Sequence, residues 1–247
     1  MISAIISCMN RTDRLIQMLP TWAEIDEIKD IVVVDWSSKD PISENKDIQE
    51  ILKNFNKIKI VRVDGQKYFH LGKSYNLGYQ FTDKKNEILL KLDVDYVSIN
   101  GEWIKTLATK NGILNKYFIC GLWRFYKSSS GFLLVNKKDF KNINGYNENF
   151  ESLWGYDDQD IQERLLQSYE PNNPNYLFRQ IFFWNFGNFI YHIPHSDELR
   201  TENYISNIAN NDINRSISKE KPNWSFQKYK IIEKSLNYHK IVMESLQ

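Results

Sequence analysis

The chain has 247 residues, 42% of them hydrophobic, and its 32 basic and 31 acidic side chains leave a net charge of +1. That balance excludes a disordered chain and argues against a general nucleic-acid binder, which carries a basic excess. The length suits one sizeable core, no apolar run reaches the length of a spanning helix, and the two cysteines, Cys8 and Cys120, are too few for a disulfide framework or a zinc site.

Ile2 to Met9 reads as a buried strand; it lacks the basic flank and cleavage site of a signal peptide. Thr12 to Pro20 has helical spacing through Leu15, Met18 and Leu19, with Thr12 or Asp13 as the candidate N-cap. Ile31 to Val34 and Ile58 to Val63 are β-branched runs that end near Asp35 and Asp64. Ser74 to Phe81 has helical character, and Ile88 to Leu92 is a further buried strand leading into Asp93-Val94-Asp95. This alternation predicts an α/β fold with a largely parallel sheet covered on both faces. Ligands of such sheets sit beyond the carboxyl ends of the strands. Loops there are polar in any protein, but Asn10 to Arg14, Asp35 to Ser38, Asp64 and Asp93/Asp95 in succession suggest a nucleotide site.

The second half is less regular. Phe118 to Phe125 and Phe132 to Asn136 read as strands around a turn at Ser128 to Ser130. Asp158 to Leu166 reads as a helix start, and Ile181 to Ile193 holds one or two strands. Thr201 to Pro222 is polar and Asn-rich, the composition of a mobile loop. Ser225 to Leu246 reads as a terminal amphipathic helix with Ile232, Leu236 and Val242 on its apolar side. Lys228, Lys230, Lys234 and Lys240 suit a weak peripheral contact with an anionic membrane, while Glu233 and Glu244 break up the charge and favour a solvated face.

Four segments carry candidate chemistry. Two acids flanking one residue, Asp93 and Asp95, suit a shared divalent cation that neutralises a departing diphosphate, although such triplets also occur by chance. His192 and His195 lie three apart, and neutral imidazoles with a carboxylate favour Mn²⁺ over Mg²⁺; two ordinary surface histidines are the plain alternative. Trp154-Gly155-Tyr156-Asp157-Asp158-Gln159-Asp160 puts three acids at a helix start. Capping accounts for one of them, whereas a carboxylate beside an indole suits a general base next to a stacked sugar. In Phe69 to Tyr79, Lys73 at a helix start suits a phosphate and Asn76 a nucleotide, or the segment is a loop entering a helix.

The order of these segments, from about Ile5 to about Ser196, resembles the inverting glycosyltransferases of the GT-A fold. The likeness is greatest to the β-1,4-galactosyltransferase-like group and to bacterial chondroitin-polymerase-type and family-2 enzymes. The matching stretches also include Gly131 to Tyr146, with Ile143-Asn144-Gly145-Tyr146. The resemblance implies a single GT-A catalytic domain over 1–200, its donor half about 1–97 and its acceptor half about 98–200. The mobile loop and C-terminal helix of 201–247 would pack on it.

The resemblance further implies Asp95 as direct metal ligand, His195 as a second and His192 at a position that also ligates. Asp93 falls near the ribose or the outer metal shell. Asp158 matches the catalytic base and Trp154 the stacking indole, with Gly131, Gly155 and Asp157 around sugar and acceptor. Arg11, Arg14 and Asp35 match the uridine pocket, and Asp64, Lys73 and Asn76 join the nucleotide-binding set. Three positions depart from the pattern. Asp157 stands where galactosyltransferases often have Glu, Tyr156 replaces a Gly, and Ser128 is small where galactose-specific relatives are bulky, leaving room for an N-acetyl group.

The implied cofactor is Mn²⁺, or Mg²⁺, with a UDP-sugar donor and a glycan acceptor. The expected setting is cytoplasmic synthesis of a bacterial surface polysaccharide. A sugar nucleotidyltransferase stays open as an alternative, though Ser7 to Arg11 lacks the Gly-rich phosphate loop that class uses after its first strand. So does a non-catalytic carbohydrate-binding module on the same fold.

Overall fold

The computed structural model describes residues 1–109, 118–121, 131–151, 153–169, 180–182, 186–206, 209–220 and 224–243. Strands β1 (Ile2–Cys8), β2 (Ile28–Trp36), β3 (Ile58–Val63) and β4 (Ile88–Leu92) run parallel in the order β3-β2-β1-β4. Helices α1 (Thr12–Ala23), α2 (Lys46–Asn54) and α3 (Leu71–Gln80) make the three crossovers. Successive residues of β1 serve opposite faces. Ala4, Ile6 and Cys8 pack with Leu15, Met18 and Trp22 of α1 and Ile48 of α2. Ile5 packs with Val32, Val34, Tyr75 and Leu77 on the α3 side. Both faces are covered, so these strands read as unbroken apolar runs.

Beyond β4 the sheet turns mixed. After α4 (Glu102–Thr109), β6 (Phe118–Cys120) and β7 (Leu133–Asn136) form an antiparallel pair, with β7 also antiparallel to β4. Helices α5 (Lys137–Asn142) and α6 (Asp157–Tyr169) come next in the chain, and β8 (Gln180–Phe182) lies parallel to β6. A separate two-stranded ladder joins β5 (Tyr96–Ser98) to β9 (Ile190–His192), which comes directly after α7 (Phe186–Phe189). Helices α8 (Asp197–Thr201) and α9 (Asn211–Glu220) lead to the C-terminal elements. Among the described residues no helix is long and apolar enough to cross a membrane.

Three expectations are corrected. Neither Thr12 nor Asp13 is the N-cap of α1: the cap is Arg11, whose carbonyl accepts from the Arg14 and Leu15 amides and whose side chain makes no cap bond. The Thr201 to Pro222 stretch is not one loop, since it contains α9, anchored by the buried Asn214.

The C-terminal helix is absent. In its place β10 (Tyr229–Lys234) and β11 (Tyr238–Met243) form an antiparallel hairpin, and β11 adds parallel to β3 with Tyr238 opposite Ile60. Ser235, Leu236 and Asn237 lie between the two strands, the Ser235 amide bonds the Tyr238 carbonyl at 2.8 Å and the Ile60 amide bonds the Asn237 carbonyl at 2.8 Å. β-Branched Ile231, Ile232, Ile241 and Val242 suit a pleated surface, and β3 gains a partner for an otherwise open edge. Ile241 is fully buried against the Val61 and Val63 side of the core. Trp123, Tyr126, Trp184 and the Ser128 to Ser130 turn lie outside the described residues. Cys8 and Cys120 are buried free thiols, and burial pushes Cys8 up to about 12.

Candidate active site

A cavity of about 800 Å³ opens beyond the carboxyl ends of β1 and β4. The short ladder assembles one wall of it. Tyr96 pairs with His192, and the Ile193 amide donates to the Asp95 carbonyl at 2.8 Å. His195 Nε2 then stands 3.0 Å from Asp95 Oδ2, with His192 Nε2 at 3.5 Å. From α1, the Arg14 guanidinium donates to the Ile193 and Pro194 carbonyls, both at 3.1 Å, and so holds the histidine turn. Arg14 acts on this turn rather than lining the cavity.

One ligand atom from each of Asp95, His192 and His195 lies within 4.8 Å of the others. Asp95 is 3% exposed, and its Oδ1 is buried with no hydrogen-bond partner among the described residues. A buried carboxylate oxygen without a partner is costly, and a cation at this point would satisfy it. Two imidazoles and one carboxylate suit Mn²⁺ better than Mg²⁺, which prefers oxygen donors. Burial pushes the Asp95 carboxyl up, but hydrogen bonds from His192 and His195 outweigh it and hold it below the usual range.

Asp93 accepts from Lys91 Nζ at 2.8 Å and from the Tyr75 hydroxyl at 3.1 Å. Gly131 passes directly behind it: a Cβ there would run into the Asp93 carboxylate, so a side chain at this position would displace Asp93 from its place beside Lys91 and Tyr75. The opposite wall is the Trp154-Gly155-Tyr156 turn. Gly155 and Tyr156 both have positive φ, at 113° and 71°, which swings the chain into α6. Asp158 is the second residue of that helix, and its carboxylate lies 3.4 Å from Lys91 Nζ. Burial pushes Asp158 up to about 6, with Lys91 pulling the other way. Asp157 is more deeply buried, and burial followed by repulsion from Asp158 raises it well above the carboxylate range. Asp160 is structural: it pairs with Arg164 at 2.6 Å and accepts from Ser218 at 2.5 Å.

Helix α9 braces this turn. Asn214 Nδ2 donates to the Gly155 carbonyl at 2.6 Å and the Leu153 carbonyl at 3.3 Å, and the Asn210 amide reaches the Trp154 carbonyl at 2.8 Å. Trp154, Gly155, Asp157, Asp158, Arg11, Asp93, Asp95, His192 and His195 thus share one cavity.

Besides Arg14, four expected nucleotide residues do not line it. Asp35 is fully buried and accepts from the Ser38 and Ile42 amides and from Arg62 at 2.5 Å. Asp64 pairs with Arg62 and Lys240, each at 2.7 Å. Asn76 is fully buried and bridges the Tyr146 backbone and Glu148. Lys73 lies on α3, where its amide caps onto His70 Nδ1 at 3.2 Å. Strand-end polarity overstated the site because Asp35 and Asp64 serve one buried arginine.

Sequence reasoning missed Lys91, Tyr75, Tyr204 and Arg215, which surround or line the same cavity. For Lys91 a signal existed: a lysine inside the apolar run Ile88-Leu89-Leu90-Lys91-Leu92.

A family model described as the N-terminal domain of galactosyltransferase matches residues 120–172, the stretch holding Gly131 and the Trp154 to Asp158 turn. Comparison with curated proteins gives no match. Among solved structures, a mutant of Drosophila β1,4-galactosyltransferase 7 in complex with manganese, UDP-Gal and xylobiose aligns with a TM-score of 0.58. It is 15% identical over 99% of this chain and 94% of that one. S. aureus TarS residues 1–349 in complex with UDP gives 0.57 at 17% identity over 80% of this chain and 62% of that one. A Pyrobaculum calidifontis mannosyltransferase in complex with GDP-Man and Mn²⁺ gives 0.54 at 14% identity over 73% and 54%. The fold is that of the GT-A glycosyltransferases.

Proposed function

We propose that this chain is an inverting, metal-dependent glycosyltransferase that moves a hexose or N-acetylhexosamine, Gal or GalNAc foremost, from a UDP-sugar to a hydroxyl of a glycan acceptor. One observation carries the reading: Asp158 faces the same cavity as the Asp95, His192 and His195 cluster. Asp158 takes the proton from the acceptor hydroxyl as that oxygen attacks the anomeric carbon from the side opposite UDP. Trp154 offers its ring to the sugar, and Arg11 and Asp93 orient the nucleotide. Asp95, His195 and His192 would hold Mn²⁺ or Mg²⁺, which when bound neutralises the charge of the departing diphosphate.

The donor class is supported by structural neighbours bound to UDP-Gal or UDP, with manganese in one case, and by a GalNAc-T7 structure with UDP, GalNAc and Mn²⁺. The glycan acceptor is supported by the neighbour bound to xylobiose. A role in bacterial surface polysaccharide synthesis, on the cytoplasmic side of the membrane, is suggested by the resemblance to chondroitin-polymerase-type enzymes. The test is a donor screen with Mn²⁺, reading UDP release from UDP-Gal, UDP-GalNAc, UDP-Glc and UDP-GlcNAc. Release with an oligosaccharide acceptor supports the transferase. Pyrophosphate exchange in its place would mark a sugar nucleotidyltransferase, and neither activity would mark a carbohydrate-binding module.

A further inference from the structure

Every residue of β4 is buried, yet its fourth residue is a lysine. Lys91 is fully buried; its ammonium donates to Asp93 Oδ1 at 2.8 Å and to Asp158 Oδ1 at 3.4 Å. The Tyr75 and Tyr146 rings lie 4.7 and 5.8 Å from the same nitrogen. An ammonium in the core is costly unless paired, and here two carboxylates and two ring faces enclose it. Lys91 stands in β4 and Asp93 follows one residue beyond its end, whereas Asp158 arrives from the first turn of α6.

We infer that Lys91 is a positioning residue for this site: its buried ammonium bridges Asp158 to Asp93, aims the Asp158 carboxylate into the cavity and sets its charge. The inference rests on the reading of Asp158 as the base. The groups that bear on Asp158 are Lys91 from β4, Asp93 just beyond that strand's end, Asp157 from its own helix, Tyr146 from the turn after α5 and Tyr96 from β5. Tyr75 from α3 bears on Lys91 and Asp93. Burial pushes all three phenols up, so they stay neutral, and Lys91 is the cation of this set. Burial alone would lower Lys91, but Asp158 and Asp93 outweigh it and hold the ammonium charged.

An opposite charge this close lowers an acid by about 1 to 3 pH units. Lys91→Met should therefore raise the pH of half-maximal turnover by about 1 to 3 units. The carbon-13 carboxyl titration of Asp158 should rise by the same amount. Lys91→Gln, which keeps N–H donors and loses the charge, is the second variant and should shift both in the same direction. In the unmutated chain the Lys91 Nζ resonance should move with the Asp158 midpoint. A folded Lys91→Met or Lys91→Gln protein with unmoved midpoints overturns the inference, as does an Nζ resonance indifferent to Asp158. A purely structural lysine would lower the unfolding temperature and leave the midpoints in place. Should the unmutated chain release UDP from no donor, the transferase reading fails while the two resonance titrations still decide the role of Lys91.

Discussion

Asp158 sits where a helix N-terminus, a buried ammonium and the wall of a cavity meet, and each acts on its proton. The helix end and Lys91 favour the anion, while desolvation favours the acid and prevails, leaving the group near pH 6. A base must be ionised to accept a proton, so turnover should rise with pH through about 6 and level off above it, read as kcat against pH. The sign is opposite for folding. The raised value means the folded chain holds this proton more tightly than the unfolded one, so Asp158 costs stability increasingly as pH rises from the ordinary carboxylate value of 3.8 to about 6 and adds no further cost above that. If Asp158 is the base proposed above, Asp158→Asn removes it and leaves Arg11 and Asp93 in place. Transfer should fall by roughly 10² to 10⁴-fold with UDP affinity near wild type, measured by UDP release and calorimetry. At this scale the sequence was half legible. Asp93, Asp95, Asp158 and the two histidines were recognisable from residue type and order. Asp35 and Asn76 were not separable from them, because a strand-end or helix-start polar side chain looks the same whether it faces a ligand or an internal partner.

At the scale of elements, α9 and the Trp154 turn form a single support. Gly155 has φ +113°, and a Cβ there would meet Asn211 Oδ1 at 2.6 Å, so helix and turn touch without spare room. Asn214→Ala removes two bonds to part-buried carbonyls and should cost about 1 to 3 kcal/mol in thermal unfolding, at about 0.5 to 1.5 kcal/mol per bond. It should also raise KM for the acceptor, because the turn that carries Trp154 loses its brace. Helix α9 was hidden in the sequence because its exposed residues are mostly polar or charged, Asn211, Asp212, Arg215, Ser216, Lys219 and Glu220 among them, and its anchoring residue is a buried asparagine rather than an apolar stripe. The C-terminal hairpin was misread for a related reason. Ile232, Leu236 and Val242 are 51%, 90% and 47% exposed, so the apolar residues that suggested a helix face are not the ones that pack. Ile241, which does pack, is identified by the open edge of β3, information that no local window contains. By contrast β1, β3 and β4 were legible to within a residue, since a strand covered on both faces leaves an unbroken apolar run.

For the molecule as a whole, nine strands of the described residues form one sheet, and most of the side chains that line the cavity stand on segments C-terminal to β4. The β5–β9 ladder is the smaller of the two sheets among the described residues and joins segments on either side of β6, β7 and β8. Asp95 directly precedes β5, His192 is the last residue of β9 and His195 lies three residues beyond it, so pairing of this ladder brings the three together. A cation held by all three would act as a clasp between early and late parts of the chain, and mass action would then couple occupancy to folding. The unfolding temperature should climb with Mn²⁺ concentration, by the equivalent of about 2.7 kcal/mol at a hundredfold excess over Kd. Asp95→Ala should abolish that climb, read by scanning calorimetry. A chain still on the ribosome with β9 unmade would carry the donor half's acids but no clasp. Competence to engage the diphosphate would arrive late in synthesis, as a property of the finished topology.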